Sequence, residues 1–243
     1  MSNPRFYIPV ALAAQTSLAL PEAAAHHAAR VLRLRSGDAV TLFNGSGGEY
    51  AACITAIGKH DVTVTIERHD PVERESPLPV TLVQAVSSGE RMDLTIQKAV
   101  ELGVSRIVPV ESERSVVRLK GERAGKRVAH WQQVVVSACE QCGRNRIPEV
   151  RMISPLDVWL AAEENDAQRW VLLPGADTAL RDLPRPQKPV ELLVGPEGGL
   201  TGAEADAARR AGYQPVRLGP RVLRTETAAP ALLAAVQALW GDF

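Results

Sequence analysis

From residue 80 onward, short apolar runs alternate with stretches of helical periodicity, and this alternation limits the chain to few folds. Residues 80–86, 107–110, 171–173, 190–194 and 216–218 read as strands. Residues 91–102, closed by Gly103, read as a helix, as do residues 126–142 and the segment from Pro230 to Trp240. Such alternation builds a parallel α/β sheet with helices on its faces. The first 70 residues follow a different rule. A short helix beginning near Pro21 carries residues 23–34, followed by strands at 39–43, 50–57 and 62–66. The Asn44-Gly45 turn and the alternation of Val62, Val64 and Ile66 predict a small antiparallel barrel. Between these regions, the prolines and charges of residues 71–79 mark a linker. The expected division is therefore a barrel over 1–72, a linker over 73–79 and an α/β domain over 80–243.

Composition narrows the function class. Lys plus Arg and Asp plus Glu are balanced at 28 each, so total charge does not identify a partner. Its distribution is more informative: residues 114–127 carry Arg114, Arg118, Lys120, Arg123, Lys126 and Arg127 against Glu122 alone. That is the pattern of a phosphate-contacting loop, or of a solvated charged one. No apolar run reaches the roughly 18 residues of a membrane span, and the start shows no signal-peptide core. Cys53, Cys139 and Cys142 do not form a disulfide framework. A cytoplasmic protein is expected. Cys139-Glu-Gln-Cys142 lacks the further ligands a zinc site needs, so no metal is expected.

Two glycine-rich loops carry the strongest chemical signal. Gly195-Pro-Glu-Gly-Gly199 follows the apolar run 190–194 and precedes Thr201-Gly-Ala-Glu204, which has the pattern of a helix capping box. Open α/β sheets bind ligands at the carboxyl ends of their strands, where this loop falls. The spacing matches neither common phosphate-binding glycine motif. Glu197 also disfavours a pyrophosphate and favours hydroxyls, an adenine edge or a positive centre. The second loop, Leu218-Gly-Pro-Arg-Val-Leu-Arg-Thr-Glu-Thr-Ala228, sets Arg221, Arg224 and Glu226 among hydroxyls ahead of the last helix.

These segments resemble the ribosomal RNA small subunit methyltransferase E family. The similar residues run in order along nearly the whole chain. They are Arg5-Phe-Tyr, His27 to Arg35 with Gly37-Asp38, Gln97-Lys-Ala-Val-Glu-Leu-Gly-Val104 and Ser112-Glu-Arg-Ser115, then Ala138-Cys-Glu-Gln-Cys-Gly-Arg-Asn-Arg-Ile-Pro148 and both glycine loops. The resemblance implies a PUA-like RNA-binding barrel followed by a SPOUT domain, a parallel sheet with a trefoil knot. It implies methylation of N3 of a decoding-region uracil in 16S rRNA of the small ribosomal subunit, with S-adenosylmethionine as cofactor. The cofactor pocket would comprise Leu172, Leu173, Pro174 and Gly175, then Gly195, Pro196, Glu197, Gly198 and Gly199. Leu218, Gly219, Arg221, Val222 and Leu223 would complete it.

For the chemistry, the N3 proton of the uracil must leave and the developing charge must be held. Glu140 or Glu226 is expected as the base, and Arg144 or Arg224 as the oxyanion partner. The sequence leaves both choices open. RNA contacts are expected from Arg5, His27, Arg30 and Arg33 in the first domain and from Lys98, Arg114, Arg118, Lys120 and Arg123 in the second. The last helix carries an apolar stripe of Leu232, Leu233, Val236, Leu239 and Trp240; it fits a core, and the resemblance implies a homodimer there. The competing readings are a SPOUT enzyme acting at another RNA position and a non-catalytic RNA-binding assembly protein. The first is disfavoured because Leu223-Arg-Thr-Glu-Thr stands where ribose-directed relatives carry an Asn-containing loop.

Overall fold

The structure, a computed structural model, describes residues 3–59, 61–162 and 166–243. Met1 and Ser2 of the expected first domain thus lie outside the described residues. The chain forms two compact units. One comprises residues 1–75 together with 139–147, and the other residues 76–138 and 148–243.

The first unit is built on β1 (Arg5–Tyr7), β2 (Ser17–Ala19), α1 (Glu22–His26), β3 (Ala39–Phe43), β4 (Glu49–Ile57) and β5 (Val62–Asp70). Its five-stranded sheet has the order β1-β3-β4-β5-β2. Every pairing is antiparallel except β1 with β3, which is parallel and departs from the expected all-antiparallel pattern. Alternating residues Val40 and Leu42, Ala52 and Ile54, and Val62, Val64 and Ile66 point inward against Phe6, Ala25 and Ala28. A π-helical turn at His27–Val31 follows α1, so the expected helix over 23–34 ends early. The Leu32 N–H bonds the His27 carbonyl, and Arg33 takes a left-handed backbone with φ 55°. Arg30 and Arg33 therefore do not sit on one regular α-helical face.

The segment 139–147 returns to the first unit through specific bonds. Glu140 accepts the Tyr7 N–H at 2.9 Å, and the Asn145 amide donates to the Val72 carbonyl at 2.8 Å. Arg144 bonds Glu75, and Arg74 bonds the Gly143 carbonyl and Glu49. The expected linker residues Glu73, Arg74 and Glu75 therefore have partners within this unit.

The second unit contains β6 (Val80–Ala85), α2 (Glu90–Glu101), β7 (Arg106–Glu111), α3 (Gly121–Cys142), β8 (Glu149–Val150), β9 (Ser154–Pro155) and α4 (Leu156–Ala161). It continues with β10 (Gln168–Leu172), β11 (Val190–Val194), α5 (Gly202–Arg210), β12 (Gln214–Val216) and α6 (Thr225–Trp240). The last turn of α3 belongs to the first unit. The seven strands form one parallel sheet in the order β12-β10-β11-β6-β7-β8, with β9 also on β7. One face packs Val83, Val108, Val171 and Leu193 against Leu156, Ala208 and Tyr213. In α6, Leu232, Leu233 and Val236 are fully buried, and Trp240 packs on Trp170. The apolar stripe therefore faces the chain's own core, with Leu239 left exposed. Among the described residues no helix is long and apolar enough to cross a membrane.

The predicted capping box forms at the start of α5. Thr201 Oγ1 accepts the Glu204 N–H at 3.2 Å, and Glu204 Oε2 accepts the Thr201 N–H at 2.8 Å. Thr201→Ala is expected to lower stability by about 1 kcal/mol, the usual worth of an N-cap, as read from the midpoint of urea unfolding.

Candidate functional site

β12, β10 and β11 are neighbours, so the loops that leave their carboxyl ends lie side by side. The loop after β10 carries Leu173, Pro174 and Gly175; the loop after β11 carries Gly195, Pro196, Glu197, Gly198 and Gly199. The loop after β12 carries Leu218, Gly219, Arg221, Val222 and Leu223. All of these residues, with Leu172, line one cavity of about 500 Å³. Ala176, Leu200, Arg209, Arg217 and Ala228 join them. β12 ends two residues before the expected boundary, which frees Arg217 and Leu218 for the cavity wall. The volume lies within the range of small-molecule sites.

Glycine has two distinct uses here. Gly175 and Gly199 have φ of 79° and 67°, where a Cβ is strained. A Cβ at Gly175, Gly199 or Gly219 would meet no protein atom within 4 Å, so these positions leave room along the wall. At Gly195 the need is close packing, since a Cβ would sit 3.0 Å from the Leu200 nitrogen.

Hydrogen bonds fix the loops. Arg217 Nη1 donates to the Ala176 carbonyl at 2.6 Å and to the Asp177 carbonyl, pinning the loop after β10. Arg114 Nη1 donates to the Gly198 carbonyl at 2.9 Å. The buried Gln84 amide donates to Thr225 Oγ1 at 3.1 Å, and Thr225 Oγ1 donates to the Gly195 carbonyl at 3.0 Å. This chain of bonds joins the centre of the sheet to the glycine loop and to the start of α6.

Glu197 lines the cavity and is held by α2 and the residues before it. Its Oε1 accepts the Ser88 N–H, the Ser88 hydroxyl and Arg91 Nη1, each at 3.0 Å. Partial burial works to raise its pKa. The backbone and side-chain hydrogen bonds that include Ser88 and Arg91 outweigh that and hold it below the ordinary carboxylate range. The carboxylate thus braces the loop, its charge offset by Arg91.

Helix α6 begins at Thr225, five residues before the expected start at Pro230. The Thr227 and Ala228 N–H groups both bond the Arg224 carbonyl, which makes Arg224 the N-cap. Pro230 is the sixth residue of this helix, so it cannot make the N–H bond to the Glu226 carbonyl that another residue would make there. The expected turn at Thr225, Glu226 and Thr227 is helical. Arg224 is exposed, and the Glu226 side chain is 16% exposed with Oε1 3.8 Å from Arg91 Nε. In sequence, the two residues sit between the cavity-lining Leu223 and Ala228.

Glu140 and Arg144, the other expected catalytic pair, belong to the first unit. Burial raises the Glu140 pKa against the pull of the Tyr7 N–H. Arg144 is 4% exposed and paired with Glu75 at 2.5 Å. Arg5 is likewise taken up, bonded to Glu49 at 2.5 Å and to Asn145 Oδ1 at 2.6 Å. A buried guanidinium must be paired, and these bonds tie Arg5 and Arg144 to segment 139–147 and its neighbours in the first unit. Burial also pushes the Cys139 thiol up to about 12, against thiolate chemistry.

Of the expected RNA contacts, His27, Arg30 and Arg33 are exposed on the first unit. On the second, Lys98 pairs with Glu101 at 2.8 Å, as their spacing implied. Arg118 donates to the Glu113 carbonyl at 3.1 Å, while Lys120 and Arg123 are exposed. Arg123 is helical, because α3 starts at Gly121, ahead of the expected residue 126. Sequence reading missed Gln84, Ser88 and Arg91 altogether. Each acts across more than 100 residues of chain, and no local spacing signals that.

Comparison with known proteins agrees with this architecture. Residues 74–237 match the model of an RNA methyltransferase domain, and residues 20–67 that of an RNA methyltransferase PUA domain. A ribosomal RNA small subunit methyltransferase E from Buchnera aphidicola (subsp. Schizaphis graminum) is 35% identical over 98% of this chain and 97% of its own. The protein of that name from Mycobacterium bovis is 37% identical over 88% of this chain and 83% of its own. Among solved structures, the ribosomal RNA small subunit methyltransferase E of Neisseria gonorrhoeae, bound to S-adenosyl methionine, superimposes with a TM-score of 0.93. It is 44% identical and both chains are fully covered. By the length and coverage of these matches, the chain belongs to the ribosomal RNA small subunit methyltransferase E family.

Proposed function

We propose that this protein transfers a methyl group from S-adenosylmethionine to N3 of a decoding-region uracil in 16S rRNA of the small ribosomal subunit. The observation that carries the reading is the convergence of the loops after β10, β11 and β12 on one cavity, with Arg224 and Glu226 lying in sequence between its lining residues Leu223 and Ala228. Its wall fits the cofactor: glycines leave space for it, and backbone donors and acceptors suit an adenine edge. The loops at 173–175, 195–199 and 218–223 would hold it. When bound, the cofactor supplies an electrophilic methyl group on a sulfonium.

The chain's own task is alignment and handling of the N3 proton. Glu226 accepts that proton, and Arg224 at the positive end of α6 faces the charge that develops on the uracil oxygens. Glu140 and Arg144 are assigned to the architecture of the first unit. His27, Arg30, Arg33, Lys120 and Arg123 contact RNA phosphates, so affinity falls with salt. The family resemblance further carries a closed PUA-like barrel, a trefoil-knotted SPOUT domain, a cytoplasmic location and a homodimer.

The test is transfer of an isotope-labelled methyl group to small ribosomal subunits, followed by digestion to nucleosides. Label in N3-methyluridine is the expected result. Label in a ribose or another base supports a different RNA position, and cofactor binding without transfer supports the non-catalytic reading.

A further inference from the structure

We propose that Arg91 is a positioning residue that couples the glycine loop to Glu226, so that one cation sets both the cofactor wall and the carboxylate that meets the uracil. The inference rests on the function proposed above and adds a residue which that reading does not use. Arg91 lies in the first turn of α2, just after Gly89, the residue before the helix, whose φ of 57° lets the chain turn sharply out of the β6 region. From there the guanidinium reaches two carboxylates on two other elements. Nη1 bonds Glu197 Oε1 at 3.0 Å in the loop after β11, and Nε stands 3.8 Å from Glu226 Oε1 in the first turn of α6. Ser88 adds its N–H and hydroxyl to the same Glu197 oxygen, which leaves the loop carboxylate little freedom.

The geometry has a chemical consequence. A guanidinium is planar, permanently charged and presents donors in several directions, so it can serve both carboxylates at once. Without it, Glu197 and Glu226 lose their shared counter-charge, and the loop and the helix start can move independently. Lysine keeps the charge but offers a single nitrogen in place of the spread of donors. Small errors in alignment are costly in methyl transfer, because the rate depends on near-attack geometry.

The experiment is a pair of double-mutant cycles on the full chain, Arg91→Ala with Glu197→Gln and Arg91→Ala with Glu226→Gln. Cofactor Kd is read by calorimetry without RNA, and the single-turnover rate on small ribosomal subunits is read at saturating cofactor. We expect Arg91→Ala to weaken cofactor binding and slow the chemical step, each by about tenfold, as loss of a hydrogen-bonded charge would do. In each cycle the double variant should be less impaired than the product of its two single effects, because the interaction removed is shared. Arg91→Lys should recover most of the affinity and little of the rate. Far-UV spectra and unfolding midpoints identify any variant that fails to fold, in which case Arg91→Gln takes the place of Arg91→Ala. Effects that multiply in both cycles, or an Arg91→Ala rate and Kd within twofold of wild type, overturn the proposal. Failure of the functional reading looks different: wild type would then place its methyl group elsewhere, while coupling between Arg91 and Glu197 in cofactor binding would persist.

Discussion

A Gly195→Val chain is expected to keep its fold and to lose S-adenosylmethionine affinity by about tenfold to a hundredfold. The reason is local. Even a Cβ at residue 195 would stand 3.0 Å from the Leu200 nitrogen and 3.3 Å from the Gly199 carbonyl carbon, so main chain must yield. Overpacking of this kind costs about 1–3 kcal/mol, which is the stated range in affinity if it falls on the loop. Gly198→Val should do less, because its Cβ would meet the Arg114 side chain at 3.2 Å, and a side chain can rotate away. Gly125→Ala, in α3 and away from the cavity, meets nothing within 4 Å and serves as the control. Calorimetry beside far-UV spectra decides the matter: unchanged affinity in a folded Gly195→Val chain removes this loop from the cofactor site.

Alanine at Glu226 or Arg224 should cut the single-turnover rate by roughly 10² or more, the scale of lost proton transfer or charge stabilisation. Cofactor affinity should change far less for Arg224→Ala, whose side chain is exposed at the helix cap. Glu226→Ala should show some loss of affinity as well, because Glu226 shares Arg91 with the glycine loop. A Glu226→Ala chain that turns over normally would return the base assignment to Glu140, whose protonation burial favours. Loss of cofactor binding without a rate effect would make both residues pocket residues only.

Particular residues show what the sequence could carry. The strand Val190–Val194 matches its expected limits: Val190, Leu192, Leu193 and Val194 make a short apolar run around Glu191, all of it buried, as in the middle of a parallel sheet. The capping box at Thr201 and Glu204 was readable because both partners lie within one helical turn. The cavity wall was visible through glycines set directly after apolar runs. Strands β1, β2, β8 and β9 were not, as two or three residues are too few to display alternation. The start of α6 was misplaced because Pro230 is a strong boundary signal, whereas the bond that overrides it joins Thr225 to a glycine 30 residues away. The same limit hid the burial of Arg5 and Arg144, whose partners Glu49 and Glu75 are remote in sequence.

The central claim is that this protein writes one base methylation in 16S rRNA. Mass mapping of modified nucleosides in 16S rRNA from a strain lacking the protein tests it most directly. The account predicts loss of a single N3-methyluridine, restored by the wild-type chain but not by Glu226→Ala. An unchanged modification map, or loss of a ribose methyl or of a different base modification, would contradict it.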